Sequence, residues 1–303
     1  MNKAIGGYFS LEEFKANNAL PSGVLLNSAS NALCHIIKSL KIKKIHIPYY
    51  TCSIVSHALR RIGCDFSCYN LDENFMPEGL LPAHETVLYV NYFGVSGKRV
   101  DELVRGYPNL IVDCAQAYYS KPKGIASFSS PRKFFGVPDG GIAYGVSEGN
   151  YDVDDSTCRM GHLEERKKNG ATPYGYKLFQ DAEKSLLGAP IKKMSKETRF
   201  ILQHIDFIGS LEKRIANFKY LHSKLKSSFP FAFSEDDVPM VYPYITEDLT
   251  LREHLIKNNI FVARYWPSIQ EKNNFSDKII PLPIDHRYDF QDMDRICEVI
   301  NGK

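Results

Sequence analysis

The most constraining feature of the sequence is an alternation of short apolar runs and helical patterns between residues 22 and 145. Residues 86–91 (TVLYVN) and 110–113 (LIVD) are almost continuously apolar, and each run ends in a polar residue. Strands of this kind are covered on both faces, as in a parallel sheet with crossover helices. The pattern predicts an α/β fold whose large domain has a mainly parallel central sheet flanked by helices.

The spacing of apolar residues predicts the other helices and strands of this region. Residues 149–175 are polar and Gly-rich, and we expect a mobile or interface segment there. Apolar residues at helical spacing predict helices over 30–40 and 53–62, and β-rich runs predict strands over 45–47, 65–70 and 142–144.

The C-terminal third predicts a small α+β domain. A long helical pattern covers 200–225, and we interpret it as the connection into that domain. Strand-like pieces follow over 240–245 and 259–266, with helices near 248–258 and 289–301. We expect a large domain over 1–205, with roughly the first 15 residues packing on the small domain, and a connecting helix plus small domain over 206–303.

Composition excludes several classes of protein. The net charge is +3 and both signs are mixed along the chain, which argues against a nucleic-acid partner. No apolar run has the length of a signal peptide or a membrane span, so we expect a cytoplasmic protein without a membrane partner. The seven cysteines are scattered, and we expect reduced thiols, with no metal site.

Two polar residues follow predicted strands at the sheet edge where ligands bind in open α/β folds, Asn91 and Asp113. Either could simply cap a loop. In the run 113–116 (DCAQ), the carboxylate could hydrogen-bond a protonated pyridine nitrogen and keep that ring electron-withdrawing. Gln116 is near enough in sequence to reach the same ring.

Two serine-containing segments could bind a phosphate. Ser28, Ala29 and Ser30 precede a predicted helix, whose N-terminus favours anions, although an N-cap serine is common at any helix start. Ser129 and Ser130 lie in the second segment, 127–141, which also contains a lysine.

That lysine, Lys133, lies between small polar residues and a Gly-rich turn, beside Phe134 and Phe135. Partial desolvation favours a neutral amine, which can form a Schiff base. Most lysines are surface charges, so Lys133 alone does not establish a Schiff-base site. In residues 48–52 (PYYTC), Tyr50 could stack on a planar ring or pack in the core.

Taken together and in this order, the segments resemble the DegT/DnrJ/StrS family of pyridoxal-phosphate (PLP) dependent sugar aminotransferases, of aminotransferase fold type I. The resemblance covers nearly the whole chain, and this chain looks like a short branch. The matching segments are IGGYFSLEEF (5–14), SASNAL (28–33), IPYYTC (47–52), DCAQA (113–117), SFSSPRKFFGVPDGG (127–141) and a C-terminal run over 280–300.

The resemblance implies residue roles. Lys133 would carry PLP as a Schiff base and shuttle a proton, and Asp113 would pair with the pyridine nitrogen. The other implied cofactor contacts are Ser28, Ala29, Ser30, Tyr50, Cys52, Asn91, Gln116 and Ser129, with Cys52 at the position of the ring-stacking aromatic.

The implied reaction is transfer of an amino group, usually from glutamate, to a nucleotide-linked keto sugar in surface-polysaccharide biosynthesis. The implied assembly is a homodimer with active sites at the subunit interface. Residues 174–177 (YGYK) replace the family segment that sends an asparagine into the neighbouring site. Tyr176 and Arg264 are further candidates for substrate contact, and Arg264 could equally be a surface charge.

Two alternatives keep the fold. One is a PLP-dependent sugar dehydratase, but members of that kind replace the lysine with histidine, and Lys133 is present. The other is a non-catalytic binding or regulatory protein, against which the pair of Asp113 and Lys133 argues.

Overall fold

A computed structural model describes residues 3–225, 230, 234, 236–267 and 270–302 of the chain. Two-residue and longer strands are β1 (Ile5–Gly6), β2 (Val24–Leu26), β3 (Lys44–Pro48), β4 (Asp65–Tyr69), β5 (Thr86–Val90), β6 (Leu110–Cys114), β7 (Ala126–Ser129), β8 (Gly141–Tyr144), β9 (Val241–Ile245), β10 (Ile260–Phe261) and β11 (Ile279–Pro283).

The helices alternate with strands in the first half of the chain. They are α1 (Ala29–Ser39), α2 (Ser53–Arg61), α3 (Gly97–Gly106), α4 (Gly161–Asn169), α5 (Pro173–Leu186), α6 (Lys196–His204), α7 (Phe207–Leu225), α8 (Leu251–Lys257), α9 (Phe275–Lys278) and α10 (Phe290–Asn301), with 3₁₀ turns at Tyr92–Gly94, Pro131–Lys133 and Thr157–Arg159.

A seven-stranded sheet forms the centre of the molecule, in the order β2-β8-β7-β6-β5-β3-β4. Strand β8 runs antiparallel to both of its neighbours, and the other pairs are parallel. Strand β6 is buried at every position, and β5 at all but its first, because helices cover both faces. The predicted mainly parallel α/β sheet is confirmed.

The sequence-predicted elements of this sheet agree with the structure to within a residue or two. Helix α1 begins after Ser28, whose side chain accepts a hydrogen bond from the Asn31 backbone N–H at 3.2 Å. This contact satisfies one of the free N–H groups at the helix start. Strands β2 and β7 were not predicted.

The C-terminal part contains the short antiparallel pair β9–β11 and the parallel pair β1–β10. Through β1, the N-terminus joins the C-terminal elements. One hydrophobic cluster runs from the sheet, including Val112, into these elements, including Tyr242, Leu282 and Met293. Packing is therefore continuous, and the boundary at residue 205 stays a prediction.

One helix prediction differs from the structure, and the segment 149–175, expected to be mobile or at an interface, contains helices that were not predicted. Residues 200–225 form parts of two helices, α6 and α7, because Ile205 is extended and Asp206 starts a new helix by accepting the Gly209 N–H at 2.9 Å. The polar segment 149–175 contains α4 and the start of α5.

Within the described residues, no helix combines the length and apolar character that crossing a membrane requires.

Candidate active site

Lys133 is the last residue of the 3₁₀ turn Pro131–Lys133, which connects β7 to the loop before β8. It lines a cavity of about 800 Å³. The cavity walls come from the N-terminal strand, this turn, helices α4 and α5, and C-terminal residues such as Tyr265. Lys133 is half-buried, and its amine forms no hydrogen bond or ion pair with the part of the chain that the structure describes. The amine is therefore available for chemistry.

Asp113 lies near the end of β6, paired with Val90 of β5 and Phe128 of β7. Its side chain is buried, and one carboxyl oxygen accepts a hydrogen bond from the Ala115 backbone N–H at 2.8 Å. Burial raises the pKa of Asp113, and the nearby positive charge of Lys133 opposes that rise. A buried carboxyl group thus lies within electrostatic range of the free amine.

Gln116 completes the turn after β6. Its side-chain oxygen accepts a hydrogen bond from the Phe93 backbone N–H at 2.8 Å. Its side-chain nitrogen is buried and has no hydrogen-bond partner among the described residues. Buried donors are usually satisfied, so this nitrogen is suited to a ligand acceptor.

The start of α1 lies against β8 on the same face of the sheet as Asp113. Pairing places Asp113 beside Phe128 and Phe128 beside Ala143, and Gly141 is two residues from Ala143. A Cβ at Gly141 would lie 2.2 Å from the carbonyl carbon and oxygen of Ser28. Glycine is therefore required for this close approach. The helix N-terminus and the Asp113 carboxyl group consequently share one face.

The serines of the proposed phosphate site are placed differently from one another. Ser28 caps α1, and its hydroxyl lies 3.0 Å from that of Ser30 at the helix start. Ser129 pairs with Cys114, so the pleat directs it to the face opposite Asp113. Ser130, also buried, follows in extended conformation and returns to the Asp113 face. The pleat favours Ser130 over Ser129 for a phosphate contact on that face.

Three other candidates have structural contacts. Tyr50 is 1% exposed, and its ring packs in an aromatic cluster with Tyr92 at 5.7 Å and Trp266 at 5.0 Å between ring centroids. Asn91 donates to the Ser120 hydroxyl at 3.2 Å and accepts from the Ser96 backbone N–H, so it holds the loop after β5. Cys52 is half-buried at the start of α2.

The two substrate candidates lie in different places. Tyr176, on α5, lines the cavity and belongs to a stack with Phe179 and Tyr8. Arg264 is half-exposed, pairs with Asp277 at 2.5 Å and is absent from the cavity wall.

Four arginines and a histidine in the cavity wall were not predicted from the sequence. These are Arg132, His162, Arg166, Arg214 and Arg287. For Arg132 a local signal existed, because it directly precedes Lys133. The others come from distant parts of the chain, and no local pattern joins them.

Comparison with solved structures identifies the fold. PseC of Helicobacter pylori, an aminotransferase involved in the biosynthesis of pseudoaminic acid, is 10% identical with a TM-score of 0.67, and 99% of each chain is covered. Spr1654 of Streptococcus pneumoniae, described as a sugar aminotransferase, is 15% identical in its PMP form with a TM-score of 0.67, covering 96% of this chain and 91% of that one. A DegT DnrJ EryC1 StrS aminotransferase of Brucella abortus is 14% identical with a TM-score of 0.62, covering 92% and 85%. The fold is that of the DegT/DnrJ/EryC1/StrS aminotransferases.

At the level of sequence the chain is more distant. No family model matches it, and no curated protein matches it significantly. Identities of 10–15% show the DegT/DnrJ/EryC1/StrS fold alone.

The residues present fit PLP. Asp113 offers a buried carboxyl oxygen to a ring N–H, and Gln116 offers an unpartnered amide nitrogen to a ring oxygen. The start of α1 supplies backbone N–H groups for a phosphate on the same face. Lys133, which affects the Asp113 pKa, supplies the free amine. The ring nitrogen, a ring oxygen, the phosphate and the aldehyde of the cofactor would each have a complementary partner in the chain.

Proposed function

We propose that the protein is a PLP-dependent aminotransferase that moves an amino group, from glutamate, to a nucleotide-linked keto sugar in surface-polysaccharide biosynthesis. The observation that carries the proposal is the free Lys133 amine, which lines an 800 Å³ cavity and lies within electrostatic range of the buried Asp113 carboxyl group. The structural neighbours described as sugar aminotransferases support the sugar as acceptor.

When bound, PLP supplies an electron-withdrawing ring. Asp113 keeps the ring nitrogen protonated because an ionised carboxylate nearby favours the positive form. Gln116 orients the ring through its free amide nitrogen, and the N-terminus of α1 holds the phosphate. The Lys133 amine would accept and return the proton at the substrate carbon.

The cavity suits a large substrate. Its volume of about 800 Å³ lies within the range typical of small-molecule sites. Tyr8, Tyr176 and Phe179 form an aromatic wall, and Arg166 lies over the Tyr8 ring at 4.9 Å. Such a wall can stack on a nucleobase, and arginine can bind phosphate.

We also propose a cytoplasmic homodimer with active sites at the subunit interface. Tyr174 and Leu187, at the two ends of α5, are 61% and 51% exposed, and Tyr176 on the same helix is 53% exposed. Exposed apolar side chains next to a cavity are suited to burial by a second copy.

A transamination assay tests the proposed function. Purified protein with PLP, glutamate and a panel of nucleotide-linked keto sugars should form 2-oxoglutarate in amounts exceeding the bound cofactor only when a keto sugar is present. Elimination of water from a sugar without use of glutamate would indicate a dehydratase instead. Binding of PLP and sugars without turnover would indicate a binding protein.

A further inference from the structure

Arg132 lies directly beside Lys133 in the turn Pro131–Lys133, and both residues line the cavity. The Arg132 side chain is 18% exposed. Burial of a guanidinium group is costly unless an anion compensates its charge. The identity of that anion is therefore informative.

Arg132 is protonated at neutral pH. Burial lowers its pKa to about 10, with Arg159 adding to the effect and Asp139 opposing it, so the group remains protonated. Burial, together with the charge of Arg132, lowers the pKa of His162 to about 4. His162 is therefore neutral, and Arg132 carries a positive charge at this end of the cavity.

The anion that Arg132 contacts in the structure is a carboxylate, Glu183 of α5, through one nitrogen and one oxygen. Glu183 is 40% exposed. No other hydrogen bond or ion pair of Arg132 occurs within the described ranges. A guanidinium has five N–H donors, so this single contact leaves most of its capacity unused.

Two other arginines of the cavity have more hydrogen-bond partners than Arg132. Arg214 donates to the backbone oxygens of Met240 and Phe134, each at 3.0 Å. Arg287 forms two hydrogen bonds with Asp285, at 2.6 and 2.9 Å. Arg166 donates one hydrogen bond to the Gly6 carbonyl at 2.9 Å and lies over the Tyr8 ring. Arg132 and Arg166 therefore keep most of their donors for a ligand, and of the two Arg132 is the neighbour of Lys133.

Proximity to Lys133 indicates which anion the site takes. In an α-amino acid, the carboxylate is attached to the carbon that bears the amine, so it must lie close to the lysine that exchanges with that amine. In a nucleotide-linked sugar, the phosphates are separated from the reacting carbon by the sugar ring. A residue adjacent to Lys133 is therefore better placed for the carboxylate.

We propose that Arg132 binds the α-carboxylate of the amino donor, which replaces Glu183 on its guanidinium group. This inference rests on the proposed function. It makes Arg132 the residue that selects an amino acid as donor, and Glu183 an internal competitor that occupies the site between substrates.

The test compares Arg132→Gln with Arg105→Gln, a control at an exposed arginine at the end of α3. Glutarate, a carboxylate without an amine, and pyrophosphate are titrated into the PLP-bound protein by calorimetry. Arg132→Gln removes the charged pair between the guanidinium group and the ligand carboxylate. It should therefore weaken glutarate binding by about 10- to 100-fold and leave pyrophosphate binding unchanged. Arg105→Gln should match the wild type. Loss of pyrophosphate binding alone would assign Arg132 to the nucleotide and overturn the proposal.

Glu183→Gln distinguishes ligand binding from a purely structural pair. Removing the internal competitor should strengthen glutarate binding, up to about 10-fold. If the pair is only structural, both variants lose stability equally and glutarate binding does not change, which contradicts the inference. Glutarate binding needs no turnover, so the inference can fail while the proposed function holds. Conversely, absence of transamination in the wild type would count against the function separately.

Discussion

The Lys133 amine lies close enough to the Asp113 carboxyl group to oppose the rise in pKa that burial gives to Asp113. The two residues are on different strands and loops, 20 positions apart by their numbers, and β6–β7 pairing brings them together. The Lys133 amine, the buried Asp113 carboxyl group and the unpartnered Gln116 nitrogen form the centre of the proposed site.

Lys133→Ala should leave the fold intact, because Lys133 is half-buried in a cavity wall and has no hydrogen-bond partner there. We expect a change in the free energy of unfolding within about 0.5 kcal/mol and a complete loss of transamination. Chemical denaturation and the 2-oxoglutarate assay measure the two effects. Lys123→Ala, at a lysine paired with Asp101, is the control. Residual turnover near the wild-type rate would exclude the proposed role.

Asp113→Asn should affect the apo and PLP-bound proteins in opposite directions. Burial raises the Asp113 pKa, so its stabilising contribution is present below about pH 4 and is lost as pH rises through the folded-state value. Asparagine removes this buried charge, and apo Asp113→Asn should gain about 1 to 3 kcal/mol at pH 7 and little at pH 4. With PLP bound, the variant should be less stabilised than the wild type and turn over more slowly.

Thermal unfolding of both proteins, with and without PLP, is measured across this pH range. It tests whether Asp113→Asn stabilises the apo protein and reduces the stabilisation by PLP. Equal stabilisation of the wild type and the variant by PLP would show that Asp113 does not contact the ring nitrogen.

Gly141→Ala should disturb the start of α1. The added Cβ would lie 2.2 Å from Ser28 and 2.4 Å from the Ala29 nitrogen, so the helix must move. We expect a loss of about 1–3 kcal/mol and weaker binding of PLP and free phosphate. Gly106→Ala is the matched control, since a Cβ there meets nothing within 4 Å. Unchanged phosphate affinity in a destabilised Gly141→Ala protein would place the phosphate elsewhere.

Asp285→Asn should destabilise the junction between the N-terminus and the C-terminal elements. Burial alone would raise the pKa of Asp285, but the charge and hydrogen bonds of Arg287 outweigh burial and lower this pKa. Arg287 also donates to the Tyr8 carbonyl at 3.0 Å. Removing the buried anion should cost about 3–5 kcal/mol at pH 7.

The same substitution has a defined pH dependence. A lowered pKa gives stability above the unfolded value, about pH 4, and this stability is lost as pH falls through the folded-state value. The difference between the two proteins in urea denaturation should therefore shrink below pH 4. A difference that stays constant with pH would mean that the Asp285 charge contributes nothing.

Tyr176→Leu should raise the KM for the nucleotide-linked sugar by about 10-fold, because it removes one ring of the aromatic wall. The half-reaction with glutamate alone should keep its rate and affinity. Phe290→Leu, at an exposed phenylalanine of α10 outside the cavity wall, is the control. An equal loss in both half-reactions would contradict a contact with the nucleotide.

The elements that could be predicted from sequence are those with a strong local signal. Strands β5 and β6 are apolar on both faces, and α1 has an N-cap serine and helical spacing. The break between α6 and α7 lacks such a signal, because Ile205 continues the apolar pattern. Helix α4 is mostly polar, with His162, Leu163 and Arg166 as its buried residues, so its periodicity is weak.

The residues of the candidate site also differ in whether the local sequence predicts them. Asp113, Gln116 and Lys133 follow from strand ends and a distinctive loop. The packing of Tyr50 against Trp266 depends on residues more than 200 positions away, which local sequence does not encode. Arg132 resembles a surface charge in the sequence, and only the cavity shows its burial.

Borohydride reduction of the PLP-treated protein, followed by peptide mapping, tests the central claim most directly. We expect covalent trapping of the cofactor on the peptide that contains Lys133, with loss of the visible absorbance of the bound cofactor. In Lys133→Ala we expect no trapping. Trapping on another lysine, or no trapping at all, would contradict the assignment of Lys133 as the cofactor-binding residue.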